Sequence, residues 1–445
     1  YVSRQNVDIR TIQELMPKFH LGIKAGKNNI IHDFAKTSGI SFDELKMSAD
    51  NDSVMTLDSR MLDFVTGSTH IDTLRLKGRQ VMQYFMFRAN IDNAPGTMDQ
   101  FAHVEANGYA AGSKAGIFMR QSNLKGDIGY RLGLVAQIAD SVVTVNFVPY
   151  NPVIGYKPWT VNEDNFIEVN LAKKHIDANL AMKSAESSVR LFTQHNDSID
   201  RQEDIILQIK DVKIADWIAL NPFAPSIKGD LSADMKIRQD EDKMLNGLGT
   251  VSLDNFYYGR ERVGSFDLDV DVTTNARGSL SANVALLVDS VKTITAYGHL
   301  NDTTSAEPFL LDFEMIRFPL KVVNPFLPPR TAKLTGTLNG QMDITGDMAS
   351  PVFNGYLDFD STSLFVNMLG TTFKFSENKI PVDSNVVTFN EFEIKAINKN
   401  PLNIKGVVDM RHLFEPLIDL SLNASNMQIV GSNRVTKGSD VYGKA

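Results

Sequence analysis

The sequence predicts a mostly β protein: an elongated, curled antiparallel sheet of repeated units with a few short helices. Three observations carry this fold class. Apolar and polar residues alternate with period two along most of the chain, which sends successive side chains to opposite faces of a strand. Helical spacing is confined to three short segments. One stretch of the chain also recurs downstream.

The elements follow in chain order. Asn29 is placed to cap a helix carrying Ile30, Ile31, Phe34 and Ala35 on one side, with Gly39 past its end. The run Val81-Met82-Gln83-Tyr84-Phe85-Met86-Phe87 is apolar on both sides and reads as a strand covered on both faces, or else as one edge of a cleft. Alternation marks strands at Ile128 to Ile138 and Ile176 to Met182. Ile214, Trp217 and Ile218 stand at i, i+3, i+4 and read as a short helix that stops before Asn221-Pro222, because the residue preceding proline avoids the α region.

The clearest strand is Phe266-Asp267-Leu268-Asp269-Val270-Asp271-Val272, apolar on one face and acidic on the other. After a turn at Thr273 to Gly278, residues Leu280, Ala282, Val284, Leu286 and Val288 continue it as a hairpin sharing one apolar side. A third helix is expected from Pro319, with Leu320 and Val323 inward. Further strands are expected at Leu338 to Ile344, Val387 to Phe389, Leu402 to Met410 and Ile418 to Ala424.

The second and third helices precede matching joints. Asn221-Pro222-Phe223-Ala224-Pro225 resembles Asn324-Pro325-Phe326-Leu327-Pro328, with Phe223 and Phe326 103 positions apart. Downstream, Gly229 to Ile237 matches Gly336 to Ile344 at an offset of 107, so a long repeat with a loop insertion is expected. At about 14 residues per strand and turn, the chain holds on the order of 30 strands.

Composition narrows function. The 445 residues are 43% hydrophobic, ample for a core, and carry 45 basic against 53 acidic residues, a net charge of -8 that offers nucleic acid no attraction. Cysteine is absent, which removes thiolate metal sites, disulfides and thiol nucleophiles. No apolar run is long enough to span a bilayer as a helix. The start reads neither as an initiator Met nor as a signal peptide, so the chain is expected to be an excised fragment whose anchoring segments lie elsewhere.

Catalytic chemistry is not expected, and the chain reads as a non-enzyme. The eight histidines (His20, His32, His70, His103, His175, His195, His299 and His412) show no metal-ligand spacing. His103 and Glu105 share a strand face but make only two ligands. Asp267, Asp269 and Asp271 lie on an extended strand rather than a calcium loop, and read as a solvated face. Trp159 and Trp217 read as packing residues. Neither G-x-S-x-G nor a phosphate-binding P-loop occurs. No metal or cofactor is therefore expected.

The segment from Ile344 through Gly346-Asp347-Met348-Ala349-Ser350-Pro351 to Leu357 is followed by Leu369 to Phe375 and Val386 to Phe389. Together with Asn403-Ile404-Lys405-Gly406, Asp419 to Leu422 and Tyr442-Gly443-Lys444-Ala445, it resembles the C-terminal domain of the TamB family. Lys157 to Val161 and the Asn-Pro-Phe joints also resemble that family. The resemblance implies an AsmA-like periplasmic bridge: a taco-like groove anchored in the inner membrane, docking an outer-membrane barrel of the TamA/BamA type. It implies movement of phospholipid between membranes, or else assembly and secretion of outer-membrane proteins.

On this reading residues 1–127 are an N-terminal β-rich segment, 128–230 and 231–337 are groove units, and 338–445 begin the C-terminal domain. Phospholipid acyl chains would lie against Phe266, Leu268, Val270, Val272, Leu280, Val284, Leu286, Val288, Leu338, Met342, Ile344, Leu420 and Leu422. A surface adhesin would instead show aromatics converging with acidic pairs in a cleft, and no such cluster stands out.

Overall fold

The computed structural model describes residues 9–67, 69–96, 101–195, 203–218, 226–239, 245–274, 279–300, 309–328, 330–347, 350–412, 415–431 and 441–443. The joint at Asn221 to Pro225, the centre of the turn after Thr274 and the Lys444-Ala445 end lie outside them. The chain is mostly β and its strands pair antiparallel. It separates into two compact units, Tyr1–Gln194 with Ile205–Ala224, and His195–Asp204 with Pro225–Ala445. No helix among the described residues is long and apolar enough to cross a membrane.

The first unit contains α1 (Ile9–Leu15), β1 (His20–Gly26), α2 (Ile30–Thr37), β2 (Ile40–Ser41), β3 (Glu44–Asp50), β4 (Thr56–Thr66), β5 (Thr69–Val81), β6 (Tyr84–Asp92), β7 (His103–Ala111) and β8 (Lys114–Ser122). It continues with β9 (Ile128–Ala139), β10 (Val142–Ile154), β11 (Lys157–Pro158), β12 (Thr160–Val161), β13 (Phe166–Asn170), β14 (His175–Ser184), β15 (Ser187–His195), most of β16 (Glu203–Lys213), and α3 (Ile214–Ile218). Strand β1 pairs with β3, and from there to β10 each strand pairs with the next. The ladder runs on through β13, β14 and β15. Two-residue turns such as Asp140-Ser141, both residues at positive φ, match the twist of the strands they join.

The run from Val81 to Phe87 is not a doubly covered strand. It is a hairpin corner: Val81 ends β5, Met82 takes φ of 55° and β6 begins at Tyr84. Tyr84 and Met86 are exposed, while Phe85 and Phe87 lie half-buried on the other face. There the Phe85 ring covers Gly78 and the Phe87 ring covers Gly108; a Cβ at Gly108 would sit 2.3 Å from the ring. Glycine opposite an aromatic leaves the room the ring fills, and this packing, absent from local periodicity, places the turn.

Helix α2 forms where expected, with Ile31 N–H donating to Asn29 Oδ1 at 2.9 Å and Gly39 at φ of 72° beyond the end. Its apolar side faces out: Ile30 and Phe34 are 82% and 74% exposed. The inward residue is His32, whose ring meets Phe42 edge-on at 5.1 Å. Helix α3 docks inside the first unit. Tyr130 Oη donates to Asp216 O at 2.6 Å, Lys157 pairs with Asp216 at 2.6 Å, and Trp217 packs edge-on against buried Trp159.

The second unit contains β17 (Ile227–Gln239), β18 (Leu245–Tyr258), β19 (Glu261–Thr274), β20 (Leu280–Val288), β21 (Val291–Leu300), β22 (Phe309–Pro319), β23 (Ala332–Asp347) and β24 (Ser350–Val366). After these come β25 (Thr371–Phe375), β26 (Ile380–Asp383), β27 (Val386–Lys395), β28 (Pro401–Asp409) and β29 (Leu417–Ala424), with β30 (Met427–Val430) and β31 (Val441–Gly443) as a separate pair. From β17 to β24 each strand pairs with its successor. Strands β25 and β26 both bridge β24 to β27, and β28 and β29 extend the sheet.

Between β22 and β23 lies a 3-10 helix, Leu320–Phe326, with Pro319 as N-cap rather than first helical residue and Pro325 inside. Leu320 and Val322 are buried and Val323 is exposed, which corrects the expectation that Val323 turns inward. The helix contacts both β19 and β23, so two of its directions are covered instead of one stripe. Bulges at Asn255, Arg317, Gly336 and Ser361, each at positive φ, fall towards the helix end of their strands. A bulge bends its strand and raises local twist, so this end of the sheet curls.

Candidate functional site

The register of the second unit assembles one apolar face from distant stretches of sequence. One row across the strands reads Val251, Leu268, Leu286, Ile294, Met315, Gly340 and Leu357. The next contains Gly249, Val270, Val284, Ala296, Phe313, Met342 and Gly355, and a third Val272, Ala282, Leu311, Ile344 and Phe353. Through Val382, Val387 and Val408 the face reaches Ile418, Leu420 and Leu422 on β29. All thirteen residues named from the sequence lie on this face.

Its covering is uneven. At one end Val263, Val288 and Val322 form a closed cluster, with Phe256, Phe266, Leu286 and Phe318 packed against it. The 3-10 helix therefore plugs that end. Away from it Leu268, Val270, Val272, Val284, Met342 and Ile344 are only half-buried. Farther along, the Phe375 ring meets Phe359 and Phe392 edge-on while those two are tilted to each other, with centroids 5.2 to 6.2 Å apart. At β29 the face opens: Ile418 and Leu422 are 67% and 56% exposed.

The plug is fastened by charge. Asp289, in the turn between β20 and β21, accepts from Arg262 at 2.9 Å, from Lys321 of the helix at 3.1 Å and from Ser265 N–H at 3.1 Å. These bonds, Arg262 foremost, bring its carboxyl down to about 2 despite partial burial.

The opposite face is acidic. Asp269 and Asp271 point to solvent and Asp267 is half-buried. An open hollow of about 690 Å³ lies on this side, lined by Asp234, Asp269, Asp271, Asp312 and Glu314 with Lys292. The Asp312 carboxyl is pushed up by burial and then by Asp343 and Glu314. The unit thus has one greasy face and one negatively charged face.

Sequence reading missed a cluster of one histidine and two aspartates in the first unit. His70 Nε2 lies 3.1 Å from Asp63 Oδ1 and 3.5 Å from Asp72 Oδ1. The visible signal was His70-Ile71-Asp72, two residues on one strand face; Asp63 joins only through hairpin register. His103 pairs with Asp92 at 3.1 Å, while Glu105 meets Arg88 and Asn107.

No protein-family model, curated protein or solved structure matches the chain.

Proposed function

We propose that this chain is part of a periplasmic, non-catalytic conduit that carries phospholipid between the inner and outer membranes for outer-membrane biogenesis. The observation that carries the reading is the apolar face running from β18 to β29, half-buried over most of its extent and buried at Ile380, Val382 and Phe392. Exposing two acyl chains to water costs on the order of 20 kcal/mol, at about 0.8 kcal/mol per CH₂. A continuous greasy surface lowers that barrier at every step. The resemblance to the TamB family supports the compartment, an inner-membrane anchor outside these residues and an outer-membrane barrel of the TamA/BamA type as partner.

A second reading is assembly and secretion of outer-membrane β-barrel proteins. Strand β29 favours it: among the described residues it pairs with β28 alone and exposes Leu417, Ile418 and Leu422, the form of edge to which another strand adds. Mass spectrometry of material co-purified from membranes, with photo-crosslinkers at Val270 and Ile418, separates the two. Phospholipid trapped at Val270 supports the conduit. Polypeptide at both positions with no extractable lipid replaces it with the assembly reading.

A further inference from the structure

We propose that Asp63, His70 and Asp72 form a binding site for a first-row divalent transition-metal ion on the β4–β5 hairpin. The pairs Leu62–Thr73 and Phe64–Ile71 bracket Asp63, itself at φ of 49°, and Asp72, and the carboxylates of the two come within 4.8 Å across the strands. His70, two residues before Asp72, projects on the same side. Two carboxylates directly opposite on a strand pair repel. A divalent cation held between them offsets that repulsion.

The spacing fits coordination. Donor atoms about 2.0–2.2 Å from a metal stand about 3.0–3.5 Å apart on a tetrahedron or octahedron. The His70 nitrogen lies 3.1 and 3.5 Å from its two oxygens, and all three donor atoms lie within 4.8 Å of one another. The exposed side of Asp63 leaves room for its carboxylate to turn and for water ligands.

Asp72 is also held for the task. Its Oδ2 accepts the Ala94 N–H, and its own backbone N–H donates to Asn93 Oδ1 at 3.0 Å. Such outer hydrogen bonds fix a ligand's orientation. Lys27, whose pKa is raised mainly by Asp43 and only weakly by Asp63, bonds Asp43 at 2.7 Å and leaves Asp63 facing His70. One imidazole with two carboxylates suits Zn²⁺, Mn²⁺ or Co²⁺, where an oxygen-only set would suit Mg²⁺ or Ca²⁺. His20–Asp50, 2.9 Å apart, is a built-in control, being a His–carboxylate pair without the second facing aspartate.

The test uses the whole chain, stripped with chelator and titrated calorimetrically with Zn²⁺ alone. One ion per chain is expected, with affinity falling at least tenfold in His70→Ala and in Asp72→Asn and unchanged in His20→Ala. Co²⁺ added to the unsubstituted protein should broaden the His70 ring signals before those of other histidines, which reads the site without any substitution. No saturable binding, or binding that survives His70→Ala with His70 signals unbroadened, overturns the proposal and leaves a hydrogen-bonded His–Asp triad.

Discussion

Lys321 reaches from the 3-10 helix to Asp289 Oδ2 at 3.1 Å, and this bond fastens the plug over the closed end of the apolar face. Asp289→Asn is expected to destabilise the protein by about 1–2 kcal/mol at pH 7, less than the full pKa shift implies because the group is partly solvated. A carboxyl depressed to about 2 contributes stability that is present above pH 4 and lost as pH falls through 2. Urea midpoints of the two proteins should therefore differ at pH 7 and converge near pH 2.

Two valines on the same face should answer a charge differently. Val284 is half-buried opposite Val270, whereas Val288 is 2% exposed in the cluster with Val263 and Val322. Val284→Glu should keep native circular dichroism and lose co-purifying lipid. Val288→Glu should unfold its surroundings, since a carboxylate there has no water or partner. Equal loss of structure in both would mean that the Val284 region is a closed core.

Gly336 marks a bulge in β23 at φ of 97°, and a Cβ there would meet Thr362 Cα at 2.5 Å and Ser361 O at 2.7 Å. Gly336→Ala should cost about 2–3 kcal/mol through left-handed strain and backbone collision. Gly259, also at positive φ but with open space around it, should cost less on the same change. Thermal melts of the pair test the difference.

Tyr130 is 2% exposed, donates to the Asp216 carbonyl, and has its hydroxyl pushed up to about 12 by burial and then by the Asp216 charge. A raised phenol favours the fold fully below pH 10 and loses that contribution as pH rises through 12. Ultraviolet titration should show a tyrosine ionising near 12, absent in Tyr130→Phe. That substitution should cost about 1 kcal/mol, the net worth of one hydrogen bond.

Trp159 and Trp217 are the two tryptophans of the chain, and both lie in the first unit with ring centroids 5.7 Å apart. Trp159→Ala should cost about 3–5 kcal/mol, as large buried aromatics do, and shift Trp217 emission to the red. Unchanged emission would show that Trp159 does not shield its neighbour.

Which side chains share a face was legible from the sequence. Period-two alternation is a local property of extended backbone, and antiparallel pairing kept it in phase from Phe266 to Leu422. The Asn29 cap was legible for the same reason, since a cap bonds within two residues. Tertiary structure alone decided that Val288 is sealed and Leu422 open, that Val322 rather than Val323 turns inward, that Val81 to Phe87 forms a corner, and that Asp63 meets His70. Each depends on what a distant segment places opposite, and alternation, blind to the partner strand, carries no record of it.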